Sequence, residues 1–173
     1  MPLVPPLDAS PDEVRASLLP LRHDFSVALY SFGNAFAAGA VIRVAHSFLV
    51  REIFIIGAEP YYAKASMGME KYETIVRAKG AKDFFDAVRG RPVWAIEKDH
   101  ARRSVNDVAA FPAGVVFALG SEREGLPAEF IEQADDVIGI PMFGVNHSFP
   151  VAVAAGIVMH EWARRKYADR SGV

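Results

Sequence analysis

Short apolar runs recur along the chain at 26–30, 52–57, 92–96, 114–119 and 137–140, each bounded by turn formers or charges. They lack the polar alternation of a half-exposed strand, so they suit strands buried on both faces. Between them lie stretches with helical spacing of apolar residues, at 37–48, 72–79, 82–88, 127–134 and 150–167. Strands alternating with helices predict an α/β fold, a mostly parallel sheet flanked by helices. The first twenty residues hold five prolines and the helix-start signal Ser10, Pro11, Asp12, Glu13. They are expected to form an N-terminal arm with one short helix, ahead of a single domain at 21–173. In parallel sheets ligands bind outside the carboxyl ends of the strands. A site is therefore expected among 32–39, 57–69, 120–126 and 141–148.

Composition narrows the classes. At 173 residues, 51% hydrophobic and 23% charged, the chain can bury a substantial core and is no disordered tail. It has no cysteine, which excludes disulfides, thiolate metal sites and a cysteine nucleophile. There is no apolar run of about 18 residues, and the start lacks a basic flank, so the cytoplasm is expected. No His-Glu-x-x-His or clustered ligand set is present, and a metal site is not expected. The net charge of −2 is uneven. From Lys64 to Arg103 ten Lys/Arg face six Asp/Glu, and elsewhere nine face fifteen. That asymmetry fits a basic face for phosphates, and it fits charged, solvated helices equally well.

Three stretches could carry chemistry. In the first, a strand ends at Leu119 and Gly120, Ser121 to Glu124 form a polar acidic turn, Gly125 closes it, and Pro127 suits the first position of a helix. Glycines let backbone approach a ligand closely. Glu122 and Glu124 would repel a phosphate, so the turn suits an adenosine or methionine moiety better; an ordinary strand–turn–helix connection is the alternative. In the second, Arg43 follows Val41 and Ile42 in a helix that reads as mostly buried. A charge there needs a ligand such as phosphate or carboxylate, or an ion pair with Glu122 or Glu124. In the third, Ile140, Pro141 and Met142 end a strand, Gly144 turns, and Ser148 stands where it could cap the helix that Pro150 begins. His147 is a candidate base or a solvated loop histidine, and no serine-nucleophile elbow is present. Ala152, Ala154, Ala155 and Gly156 suit close helix packing, including across a dimer seam.

In this order the stretches resemble the SpoU family of RNA 2′-O-methyltransferases, within the SPOUT class. Gly39 to Ala45, with Phe48 and the strand at 52–57, is similar to its first motif. Leu119 to Leu126 is similar to its second, and Ile140 to Met142 through Ser148 to Trp162 to its third. The resemblance implies an α/β sheet with a C-terminal trefoil knot, S-adenosylmethionine as cofactor, an RNA substrate (tRNA or rRNA) and homodimers with shared sites. It implies cofactor contacts at Leu119, Gly120, Ile140, Met142 and Phe149, the last where the family usually has leucine. Arg43, Glu124 and Ser148 match motif residues and are expected to orient the substrate, Arg43 acting on the ribose hydroxyl and an adjacent phosphate. Asn34, Lys64, Lys71, Arg102 and Arg103 are expected to bind substrate.

The departures define the alternative. Pro150 and Ala152 stand where the family usually has asparagine and serine, and Ala37 where its first motif has asparagine, for which Asn34 is a candidate substitute. A non-catalytic RNA-binding homologue is thus the competing expectation. An unrelated nucleotide-binding α/β module is a third.

Overall fold

A computed structural model describes residues 5, 6, 8–30, 34–121, 124–146 and 148–167. Twelve labelled elements form in order: α1 Pro11–Leu18, β1 Ser26–Tyr30, α2 Ala35–Ser47, β2 Ile53–Ile56, β3 Ile75–Ala78, α3 Ala81–Ala87, β4 Val93–Ile96, β5 Arg103–Ser104, β6 Val116–Leu119, α4 Ala128–Gln133, β7 Asp136–Gly139 and α5 Val151–Lys166. The seven strands make one sheet in the order β3-β2-β1-β6-β4-β7-β5. Every pairing is parallel, as the apolar runs predict.

Two strands were not expected. The stretch 72–79, read as a helix, holds β3, which pairs with β2 from Ile53↔Ile75 to Ile56↔Ala78. Thr74, Ile75 and Val76 are β-branched in succession, which disfavours a helix and suits a pleated edge. The two-residue β5 is polar, and its register with β7 places it at the other edge. Both misreadings concern sheet margins, where one side of the strand needs no apolar cover.

Alternation along the strands sorts the core into two layers. Val27, Leu29, Ile53, Ile55, Phe117 and Leu119 face α2 and α5. Ala28, Tyr30, Phe54, Ile56, Val116 and Ala118 face α3 and α4, where Phe84 and Phe130 stack with ring centroids 5.4 Å apart. α2 starts where the Asn34 Oδ1 accepts the Ala37 N–H at 3.1 Å, and it buries Ala38, Val41, Ile42 and Ala45. α1 carries a capping box, in which Ser10 and Glu13 satisfy each other's backbone N–H. No helix among the described residues is long and apolar enough to cross a membrane.

A buried ionic cluster joins three segments at the margin of the sheet. Glu73 is buried; its Oε2 accepts from Arg22 Nη1 at 2.7 Å and its Oε1 lies 2.7 Å from His46 Nδ1. Arg22 also donates to the carbonyls of Val50 and Tyr72, each at 2.6 Å. The start of β1, the end of α2 and the approach to β3 are thereby joined. Removing one member strands the other charge, so Glu73→Ala is expected to cost about 3–5 kcal/mol. The shift in urea midpoint against the parent protein measures it.

Candidate active site

The turn after β6 is closed by contact of backbone with backbone. A Cβ added at Gly120 would lie 2.1 Å from the Gly125 carbonyl carbon and 2.4 Å from the Leu126 nitrogen, so the chain crosses itself where no side chain fits. Ser121 and Gly125 exchange both backbone hydrogen bonds, at 3.1 and 3.0 Å. The Ser121 Oγ accepts the Glu124 N–H at 3.1 Å, and Gly125 has φ +66°. Leu126 then enters the core, and Pro127 stands one place before α4 as its N-cap.

Two further loops wall off a cleft beside this turn. One follows β7 and runs through Ile140 and Met142 to Phe149; the other follows β4 and runs from Glu97 to His100. The enclosed volume is about 450 Å³, within the range of small-molecule sites. All the residues expected to meet a cofactor line it: Leu119, Gly120, Ile140, Met142 and Phe149. Glu124 and Ser148 line it as well. The loop at 97–100 was missed by the sequence reading, although the strand-end rule that selected the other segments applies equally after β4.

Other expected residues lie outside this lining. Arg43 is exposed on α2, turned away from the buried Val41, Ile42 and Ala45, which corrects the reading of a buried arginine in need of a partner. Among the described residues it has no ion pair, and none forms with Glu124; Glu122 and His147 lie outside the described residues. Asn34 caps α2. Lys64 and Lys71 are exposed in the segment between β2 and β3, and the Lys71 carbonyl accepts from Arg15 at 2.6 Å. Arg102 and Arg103 line a wider adjoining hollow of about 800 Å³ that shares Lys98, Ile140 and Met142 with the cleft. Arg103 is held there by Asp136, Nε to Oδ2 3.0 Å, with its guanidinium 4.9 Å from the Trp94 ring centroid.

Ser148 does not cap α5. The helix starts two residues beyond Ser148's own neighbour, with Pro150 as N-cap and no side-chain cap; the Pro150 carbonyl accepts from Val153 and Ala154 at 2.9 and 3.0 Å. Ser148 is exposed, and its carbonyl accepts from the Asn146 side chain at 3.2 Å. Its hydroxyl is thus not committed to the helix start. No group of three or more metal-ligating side chains occurs among the described residues.

The crossing yields a paired prediction. Gly120→Ala is expected to destabilise by about 1–3 kcal/mol through forced displacement of the turn. Gly156→Ala, where an added Cβ meets its nearest neighbour, Val44 Cγ1, at 3.6 Å, is expected to gain up to about 1 kcal/mol as a helix-interior glycine is replaced. Thermal unfolding of the two variants side by side checks both signs.

Comparison with known proteins follows the same segments. The model of the SpoU rRNA Methylase family matches residues 24–160. A protein of Mycobacterium ulcerans described as an uncharacterized tRNA/rRNA methyltransferase is 28% identical over 176 residues, 94% of this chain and 54% of that protein. The 23S rRNA (guanosine-2′-O-)-methyltransferase RlmB of Coxiella burnetii is 26% identical over 135 residues, 75% of this chain and 54% of that one. The AdoMet-bound rRNA methyltransferase from Sinorhizobium meliloti matches with TM-score 0.75 and 28% identity, over 88% of this chain and 60% of that one. The chain spans about half the length of the curated relatives it matches. The matched segment runs from just before β1 far into α5 and takes in all three walls of the cleft. The chain belongs to the SpoU rRNA methylase family.

Proposed function

We propose that this chain carries an S-adenosylmethionine-dependent methyltransferase site that modifies a ribose 2′-hydroxyl of tRNA or rRNA. The observation that carries the reading is the cleft at the ends of β4, β6 and β7, where the second- and third-motif residues converge around the Gly120 crossing. Its chemistry fits the cofactor. Leu119, Leu126 and Ile140 offer apolar surface for a purine, while Glu97, Glu124 and Ser148 offer acceptors for hydroxyl and ammonium groups. The absence of a side chain at Gly120 brings backbone groups within reach. A bound AdoMet in the S. meliloti relative supports the same assignment, and the RlmB relative supports the ribose oxygen as acceptor.

S-adenosylmethionine, when bound, supplies a sulfonium methyl group for in-line displacement by the ribose oxygen, leaving S-adenosylhomocysteine and a proton. The protein's part is positioning. Leu119, Gly120, Ile140, Met142 and Phe149 hold the cofactor; Glu124 and Ser148, at the cleft, orient the incoming nucleotide. Arg43 orients the hydroxyl and its neighbouring phosphate, since a guanidinium keeps its proton and cannot act as a base. Lys64, Lys71, Arg102 and Arg103, with Asn34, guide the phosphates; Lys64 and Lys71 are exposed for this, whereas Arg103 is already held by Asp136.

Arg43 does not line the cleft of its own chain and stands exposed. This supports a homodimer in which each site is completed by the arginine of the second copy. A C-terminal trefoil knot and a cytoplasmic place of work belong to the same proposal. A second reading, a non-catalytic RNA-binding homologue, is favoured by Pro150, whose position at the start of α5 offers no polar side chain to the site.

Methyl transfer from labelled S-adenosylmethionine to bulk tRNA and rRNA, followed by alkaline hydrolysis, tests the proposal. The parent protein is expected to yield alkali-resistant dinucleotides. Arg43→Ala is expected to lose about a hundredfold or more in rate with cofactor affinity unchanged. RNA binding without any transfer would establish the second reading, and full activity in the variant would remove Arg43 from the mechanism.

A further inference from the structure

Glu97 is a carboxylate that neither the family motifs nor the strand-end reading selected. It follows Ile96, the last residue of β4, and its backbone N–H donates to the Ile138 carbonyl at 3.1 Å. It is thus pinned where β4 and β7 meet. Its side chain lines the cleft, half-buried. One oxygen, Oε1, accepts the Lys98 N–H at 2.8 Å. The other, Oε2, faces the turn after β6: a Cβ added at Gly125 would lie 2.8 Å from it. Among the described residues no hydrogen-bond donor meets Oε2, and the neighbouring Lys98 ammonium pairs with Asp99 instead, at 3.4 Å.

Gly125 therefore serves two ends. Its φ of +66° favours glycine, and its missing side chain leaves a charged oxygen uncovered. A fixed carboxylate with lone pairs to spare is an acceptor awaiting donors. Dinucleotide-binding parallel sheets offer an analogy: there an acidic side chain about 20 residues beyond the glycine-rich turn takes a ribose hydroxyl. The same cleft is lined by Leu119, Leu126 and Ile140, apolar residues suited to a purine. A vicinal diol presents two hydroxyl donors to one carboxylate without requiring a charge on the ligand.

From this geometry we infer that Glu97 binds the ribose diol of the cofactor's adenosine, as a cofactor-binding residue outside the motif set. This rests on the cofactor reading proposed above. Glu97 holds the adenosine half in place and takes no part in the transfer of the methyl group.

Calorimetric titration of the parent protein, Glu97→Ala and Glu97→Gln with two ligands tests the inference. S-adenosylmethionine carries the diol, the sulfonium and the ammonium. 5′-Methylthioadenosine keeps the adenine and the diol and lacks both charges. A hydrogen bond to a charged acceptor is worth about ten- to a hundredfold in affinity. Glu97→Ala is expected to lose that factor for both ligands alike, with its unfolding temperature unchanged. Glu97→Gln keeps the volume and an acceptor oxygen for Lys98, and it is expected to fall between. A loss confined to S-adenosylmethionine would overturn the diol assignment in favour of charge pairing, and undiminished binding of both ligands would overturn it outright. Failure of the parent protein itself to bind S-adenosylmethionine would overturn the cofactor reading and this inference with it, a result distinct from any defect of the variants.

Discussion

Backbone passing over backbone at Gly120 is the constraint on which the site depends. With only 2.1 Å between a hypothetical Cβ and the Gly125 carbonyl carbon, any side chain at that position would push the turn away from β6. The turn, once closed, aims Leu126 into the core, sets the start of α4 and leaves Leu119 and Gly120 facing the loops after β4 and β7. β6 lies between β1 and β4 in the sheet. The crossing therefore sits inside the sheet's span, with paired strands on either side to hold it still.

The same logic of close approach governs α2. A Cβ at Gly39 would lie 2.5 Å from the Tyr62 carbonyl oxygen and 2.7 Å from the Ala65 Cβ, so the helix lies tight against the segment between β2 and β3. Tyr62 N–H returns the contact by donating to the Ala35 carbonyl at 2.8 Å. The buried Arg22–Glu73–His46 cluster fixes the far end of the helix. Arg43 is consequently an exposed charge on a helix held at both ends.

Much of this was legible in the sequence because it rests on local patterning. The central strands announced themselves as continuous apolar runs, and the motif glycines marked where strands end. What failed had both local and non-local causes. β3 was read as a helix because its apolar spacing fits both periods; the β-branched run Thr74 to Val76 favours a strand, and the pairing with β2 settles it. Arg43 was read as buried because Val41 and Ile42 precede it, although adjacent helical positions point about 100° apart and one can be solvent-facing while the next is core. Ser148 was read as a cap because its distance from Pro150 allows one; α5 begins one residue later and uses the Pro150 carbonyl instead. Glu97 carried no signal of its own. Its significance comes from Gly125, 28 positions along the chain, and only the fold brings the two together.

The loops after β4, β6 and β7 are proposed to form one cofactor cradle. A crystal structure of the protein grown with S-adenosylhomocysteine tests it most directly. Adenosine density is expected between the 119–126 turn and the 140–149 loop, with the Glu97 carboxylate at the ribose. Density for the ligand elsewhere, or an undisturbed cleft at saturating ligand, would contradict it.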